Sequence, residues 1–162
     1  MQSALILQLL VLLTVANGTP VIAKKILGQA FARPLDGGVL LADGRPLFGP
    51  LKTIRGIVLA VPATMACAAL IGLGWKLGAV LGGVAMASDL LASFVKRRMG
   101  LPPSSMALGL DQIPESLFPL LACRLLLPLT LLDIGVAVIL FAVGELVLSR
   151  ILFKLNVRDR PY

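Results

Sequence analysis

The chain of 162 residues has no histidine, only two cysteines and one tryptophan, and little charge, 14% of the whole. Without imidazole there is no histidine general base, and most transition-metal sites lose their usual ligand. Any catalysis must run on carboxylates, lysine, arginine, hydroxyls or a hard metal ion. Cys67 and Cys123 each sit inside an apolar run with no second thiol nearby. That excludes a zinc spacing and a disulfide framework and marks both as small buried residues. Aromatics make up only 5%, so the formal net charge of +7 does not point to nucleic acid. In a chain of this kind a basic excess reports orientation and anionic partners.

What is abundant is hydrocarbon. Apolar residues are 58% of the chain, and the mean hydropathy is +0.97. They fall in long blocks rather than in the alternating pattern of a half-buried soluble core, which predicts lipid-facing helices. Residues 4–23 form the first block, long enough at 1.5 Å per residue to cross about 30 Å of hydrocarbon. Its first cation, Lys24, follows the block instead of preceding it, so it reads as a retained helix rather than a signal peptide. Asn17, Thr19 and Pro20 interrupt it near one end, and the sequon there lies at the membrane, out of reach of glycosylation. Further helices are predicted over residues 56–73, 77–94, 117–132 and 134–153, with polar loops at 24–55 and 95–116. The chain thus reads as one all-α polytopic membrane domain over residues 1–162, a bundle of about five transmembrane helices. Thirteen of its fifteen basic residues fall in the two loops, the end of the last helix and the tail. The positive-inside rule then places the N-terminus outside, and the loops and C-terminus in the cytoplasm.

The third helix carries Asp89, a carboxylate in an apolar span, which is costly unless paired, hydrated or metal-bound. Gly78, Gly82, Ala85, Asp89, Ser93 and Lys96 recur at spacings of three and four and share one face. Small residues there let another helix or a ligand approach the backbone. Asp89 precedes Lys96 by seven residues, so it lies roughly 10 Å deeper than the cluster Lys96-Arg97-Arg98. That is a metal ligand beneath a phosphate-binding collar, or a structural carboxylate bonded to Ser93 or Arg124. The first loop carries Asp36-Gly37-Gly38, Asp43-Gly44-Arg45 and Lys52-Thr53-Ile54-Arg55-Gly56. Free backbone beside Lys, Thr and Arg suits a phosphate cradle. It is not a Walker A loop, because Pro50 and Leu51 separate Gly49 from Lys52. Glu145 and Arg124 are further intramembrane charges without an assigned role.

These segments together resemble the CDP-archaeol synthase family, integral membrane cytidylyltransferases related to CTP:phosphatidate cytidylyltransferases. The resemblance rests on Ala16-Asn17-Gly18-Thr19-Pro20, Asp43-Gly44-Arg45-Pro46-Leu47-Phe48-Gly49 with Lys52-Thr53-Ile54-Arg55-Gly56, Ser88-Asp89-Leu90, Ser93-Phe94-Val95-Lys96-Arg97-Arg98 and Leu110-Asp111-Gln112. The family pattern has Gly where Ser88 stands, and a His- and Asn-containing motif where this last helix has Glu145 and Ser149. The resemblance implies a five-helix enzyme that moves CMP from CTP onto a lipid phosphate with Mg²⁺. It implies Asp89, Lys96 and Asp43 as catalytic residues and Asp89, Asp43 and Asp111 as metal ligands. Around the substrates it implies Asn17, Asp36, Arg45, Lys52, Thr53, Arg55, Ser93, Arg97, Arg98, Asp111 and Gln112, with Lys52 and Arg55 on the triphosphate. CTP, the lipid phosphate and the membrane are the expected partners, and a second copy of the chain is a candidate one. The alternatives are activity on a diacyl lipid phosphate, or a non-catalytic small transporter or assembly protein.

Overall fold

The first apolar block folds as α1, Ser3–Leu27, in a computed structural model that describes residues 2–103, 105 and 107–157. Leu9, Leu12, Leu13 and Ala16 recur at three- and four-residue spacing, so one face of α1 is apolar and fully buried. The other four helices are α2 (Ile54–Leu70), α3 (Trp75–Arg98), α4 (Gln112–Cys123) and α5 (Leu131–Lys154). α1 touches each of them and forms the centre of the bundle. Pro20 was expected to interrupt α1, yet the helix continues through it to Leu27. The ring removes one donor and leaves the Ala16 carbonyl without its helical partner. Gly56 of α2 packs against that ring, where an added Cβ would stand 3.2 Å from Pro20 Cβ, and this contact supports the turn from outside.

The small-residue face of α3 has two fates along its length. In its lower half, Gly78 meets α2 so closely that an added Cβ would lie 2.6 Å from the Thr64 carbonyl oxygen. Dispersion between two backbones in contact holds membrane helices together where burial against lipid adds nothing. In its upper half the same face carries Asp89, Ser93 and Lys96 and opens into a cavity.

α4 departs from its expected bounds. It begins at Gln112, five residues before the apolar block that residues 117–132 outlined, and stops at Cys123. Its 12 residues rise only about 18 Å, and turns at residues 124–126 lead into an irregular stretch before α5. Pro128 cannot continue a helix, and Arg124 is exposed at the C-cap instead of lying within a helix. Asp133, expected at the boundary of the last two helices, instead forms a capping box with Thr130 inside the first turn of α5.

α1 and α5 run parallel. At one end the Gln2 amide donates to Asp133 Oδ1 at 3.2 Å, and at the other Lys25 Nζ donates to the Asn156 carbonyl at 2.7 Å. α1, α3 and α5 are long and apolar enough to cross a membrane, and α2 is a shorter apolar helix of 17 residues. The protein is an all-α membrane bundle, and no named strand occurs among the described residues. Both long loops and the C-terminal ends of α1, α3 and α5 share one end, where Arg45, Lys52 and the cations closing α3 collect. Arg158 and Arg160, counted with the basic tail, lie outside the described residues.

Candidate active site

Where the two long loops meet, a cavity of about 480 Å³ opens among the helix ends. Lys52 and Thr53 of the first loop and Arg55 of α2 form one wall, and Asp89, Ser93, Lys96 and Arg97 of α3 form the facing one. Asp111 and Gln112 enter from the head of α4, and Asn17 from α1. Ten expected site residues, scattered over most of the chain, are thereby brought to one place. Asp36, Asp43, Arg45 and Arg98 stand outside this lining.

Among the described residues, three ion pairs climb α3, and each fastens a loop to it. At the bottom, Lys52 Nζ donates to both Asp89 oxygens at 2.5 and 2.6 Å. Asp89 is therefore paired across to the first loop, and not to Ser93 or Arg124 as the structural alternative had it. Burial alone would push the Lys52 ammonium down, but the facing carboxylates of Asp89 and Glu115 outweigh it and hold it above its ordinary value. One level up, Lys96 Nζ lies 2.6 Å from Asp111 Oδ1 and donates to the Ser105 carbonyl. At the top, Arg98 Nη1 meets Asp43 Oδ2 at 2.6 Å, while its Nη2 donates to the Arg45 and Pro46 carbonyls. Arg45 answers by donating to the Arg97 and Arg98 carbonyls, capping the C-terminal end of α3. Asp43, Arg45 and Arg98 thus form a latch on the outer rim.

Asp36 organises the same loop from within. Its carboxylate accepts the backbone amides of Gly38, Phe48 and Gly49 at 3.0, 2.9 and 2.9 Å. Burial would raise its carboxyl, but those three donors outweigh it and hold the group below the ordinary carboxylate value. Thr53 caps α2 by accepting the Gly56 amide, and Arg55 donates to the Ala30 carbonyl. Gln112 accepts the Gly109 amide at 3.0 Å, and Ser93 is buried.

Arg97 differs from Arg98 in where it sits. It is 5% exposed and lines the cavity; its Nε, like that of Arg98, has no hydrogen-bond partner among the described residues, but Arg98 is bonded to the rim through Nη1 and Nη2. Its side chain passes the Phe48-Gly49-Pro50 bend, where Gly49 adopts a φ of +96° that ordinary side chains rarely take. A buried guanidinium with donor capacity to spare, held against a glycine turn, is built for an anion.

Asp43, Asp89 and Asp111 do not gather into one metal site, and no group of three metal-capable side chains forms among the described residues. Arg98 holds Asp43 on the rim, and Lys96 holds Asp111 one level above Asp89. The carboxyl that does lie against Asp89 is Glu115, which is 7% exposed. A fourth helix expected from residue 117 places Glu115 in a loop, whereas α4 carries it in its first turn. Its spacing of four from Asp111 was the available signal, because one helical turn puts both on the same face. Asp89 and Glu115 fit a hard divalent cation, since Mg²⁺ takes one or two protein carboxylates and completes its shell with water and substrate phosphate.

A family profile described as CarS-like CDP-archaeol synthase matches residues 64–162. The chain belongs to the CDP-archaeol synthase family. Its relatives include the CDP-archaeol synthase of Pyrobaculum calidifontis, 32% identical over 153 residues, covering 91% of each chain. Another, the CDP-archaeol synthase of Thermococcus onnurineus, is 35% identical over 143 residues, 82% of this chain and 79% of that one. A solved structure described as an intramembrane enzyme for archaeal membrane lipids biosynthesis superimposes with a TM-score of 0.70 at 31% identity. It is covered over 91% of its length by 86% of this chain. As a member of that family, the protein is an enzyme, a CTP-dependent cytidylyltransferase.

Proposed function

We propose that this protein transfers CMP from CTP to a membrane lipid phosphate, forming a CDP-lipid of the CDP-archaeol type and releasing pyrophosphate. The observation that carries the reading is a cavity walled by cations and carboxylates at the polar end of a membrane bundle, with Arg97 poised for an anion inside it. A phosphomonoester is largely dianionic at neutral pH, so its oxygen can attack the α-phosphorus of CTP without a protein base. The bond between the α-phosphorus and the bridging oxygen breaks, and pyrophosphate leaves with the electron pair. What remains for the protein is to align the two substrates and neutralise the leaving group.

The residues divide that work. Arg97 and Lys52 neutralise the triphosphate, and Lys96, oriented by Asp111, supplies further positive charge at the mouth. The rim latch of Asp43, Arg45 and Arg98 holds the first loop over the nucleotide. Asp89 and Glu115 would hold a divalent cation, Mg²⁺ by preference, which supplies Lewis-acid charge neutralisation when bound. Placing this end of the bundle in the cytoplasm gives the site its dissolved nucleotide and satisfies the positive-inside rule. The test is to incubate purified protein and a divalent cation with α-labelled CTP and either an isoprenoid diether phosphate or a diacyl lipid phosphate. Label should enter the lipid fraction with release of pyrophosphate. No labelled lipid from either acceptor would remove the reading.

A further inference from the structure

Among the described residues, the end of the bundle away from the active site carries two basic side chains, Lys76 and Arg124. Lys76 is engaged, its ammonium 5.9 Å from the centroid of the Trp75 ring. Arg124 is exposed, and its guanidinium makes no ion pair or hydrogen bond among the described residues. Its place is nevertheless fixed. Cys123 before it is fully buried, Leu129 after it is buried too, and the Pro128 carbonyl accepts Gln2 Nε2 at 2.7 Å.

The depth of Arg124 follows from the helices beside it. Glu115 of α4 lies against Asp89 of α3. From that level α3 descends roughly 21 Å to Trp75, and α4 descends roughly 14 Å to Arg124. Arg124 therefore leaves the backbone roughly 7 Å short of Trp75, the kind of residue that marks where hydrocarbon gives way to headgroups. A guanidinium at this depth reaches the headgroups by laying its methylene stem along apolar surface. Leu121, Leu125, Leu131 and Leu132 supply that surface, all exposed, Leu125 at 87%.

The same stretch leaves three backbone carbonyls open. Those of Arg124, Leu125 and Leu126 lack helical donors, because Pro128 has no amide and the next two amides are taken. Leu129 donates to the Leu127 carbonyl, and Thr130 to Asp133 Oδ2. Hydrocarbon does not solvate bare carbonyls, so irregular backbone facing lipid is not stable there. Polar atoms must come down to this point from the bilayer itself.

We propose that the foot of α4 binds the headgroup of an anionic phospholipid from the leaflet opposite the active site. The lipid phosphate sits on the Arg124 guanidinium, whose planar fork matches two phosphate oxygens. Headgroup hydroxyls donate to the open carbonyls, and the hydrocarbon chains lie along Leu121 and Leu125. The lipid completes the crossing that α4 abandons at Cys123, and steadies the helix whose head carries Asp111, Gln112 and Glu115. The site does not depend on the proposed CMP transfer.

To test it, full-length protein in detergent is titrated with phosphatidylglycerol, and bound lipid is counted by native mass spectrometry. Arg124→Gln should weaken one bound phosphatidylglycerol by about tenfold or more, the loss of a hydrogen bond to a charged group. Arg124→Lys should fall between the two, since it keeps the charge without the fork. Lys76→Gln removes the other cation at this end and should bind as wild type does. Diacylglycerol of the same chains has no phosphate and should bind wild type and Arg124→Gln alike, and excess inorganic phosphate should leave the phospholipid in place. Phosphatidylglycerol should also raise the melting temperature of wild type more than that of Arg124→Gln. Equal affinity in wild type and Arg124→Gln would mean a guanidinium that only reaches water, and would overturn the assignment. So would equal losses in Arg124→Gln and Lys76→Gln, an equal loss of diacylglycerol, or displacement by inorganic phosphate.

Discussion

Arg97 and Arg98 are adjacent in sequence and opposite in fate, and the pair offers a direct test of the site. Both have an unmatched Nε, but Arg97 is buried in the cavity, while Arg98 is committed to the rim through its Nη1 and Nη2 bonds to Asp43, Arg45 and Pro46. A hydrogen bond to a charged group contributes about 1.5–3 kcal/mol. Losing one from Arg97 to the triphosphate should therefore weaken CTP binding by about 10- to 150-fold in Arg97→Ala. Arg97→Lys keeps the charge but not the planar fork, so it should fall between alanine and wild type. The Arg98–Asp43 pair is partly solvated, with side chains 25% and 41% exposed. Such pairs contribute about 0.2–1 kcal/mol, so Arg98→Ala should change CTP affinity by less than about fivefold. Its effect should appear instead as faster hydrogen exchange over residues 36–48. Equilibrium binding of labelled CTP to detergent-purified variants, paired with exchange mass spectrometry, reads both quantities. Equal losses of CTP affinity in the two variants, or the larger loss in Arg98→Ala, would refute the division between cavity and latch.

Other outcomes follow from the same geometry. Asp89→Asn should abolish CMP transfer while the protein still inserts and purifies as wild type; wild-type turnover would take Asp89 out of the mechanism. Gly78→Ala puts a Cβ 2.6–2.7 Å from Thr64 O, Ala68 Cβ and Met65 Cα, and should cost about 1–3 kcal/mol in thermal stability. An unchanged melting temperature would mean that α2 and α3 separate easily. Because the Asp36 carboxyl is held below its ordinary value, its stabilisation is present above about pH 4 and fades as pH falls through the folded value. Pepsin cleavage of the first loop, normalised at each pH to an unstructured substrate, should thus rise below about pH 4 in wild type, and Asp36→Asn should lack that rise. For topology, single cysteines at Ala42, Val157 and Trp75 in a background lacking Cys67 and Cys123 should react with an impermeant reagent outside intact cells only at position 75. Labelling at 157 would place the C-terminus outside.

Composition and periodicity were sufficient for much of this molecule. Long apolar blocks admit few structures in lipid, because every backbone amide must be satisfied within its own segment, and that dictates helices. The cation count likewise gathered both loops at one end, since a charge does not cross hydrocarbon cheaply. Motif residues such as Asn17, Lys52, Asp89 and Lys96 were legible because ionic and polar groups near a membrane need a reason to be there. Which of them share a contact was not legible. Lys52 and Asp89 are far apart in the chain, and only the fold of the first loop against α3 makes them partners. The rim position of Asp43, Arg45 and Arg98 depends on a loop path anchored by Asp36, which no local pattern encodes. Glu115 escaped notice because the start of α4 is set by packing against α3 and by the Lys96–Asp111 pair, not by the apolar block that follows. A second cavity, of about 220 Å³ between α1 and α5, was invisible for the same physical reason. A cavity is a property of two surfaces that fail to meet, and the first and last helices of a chain come together only in the folded bundle.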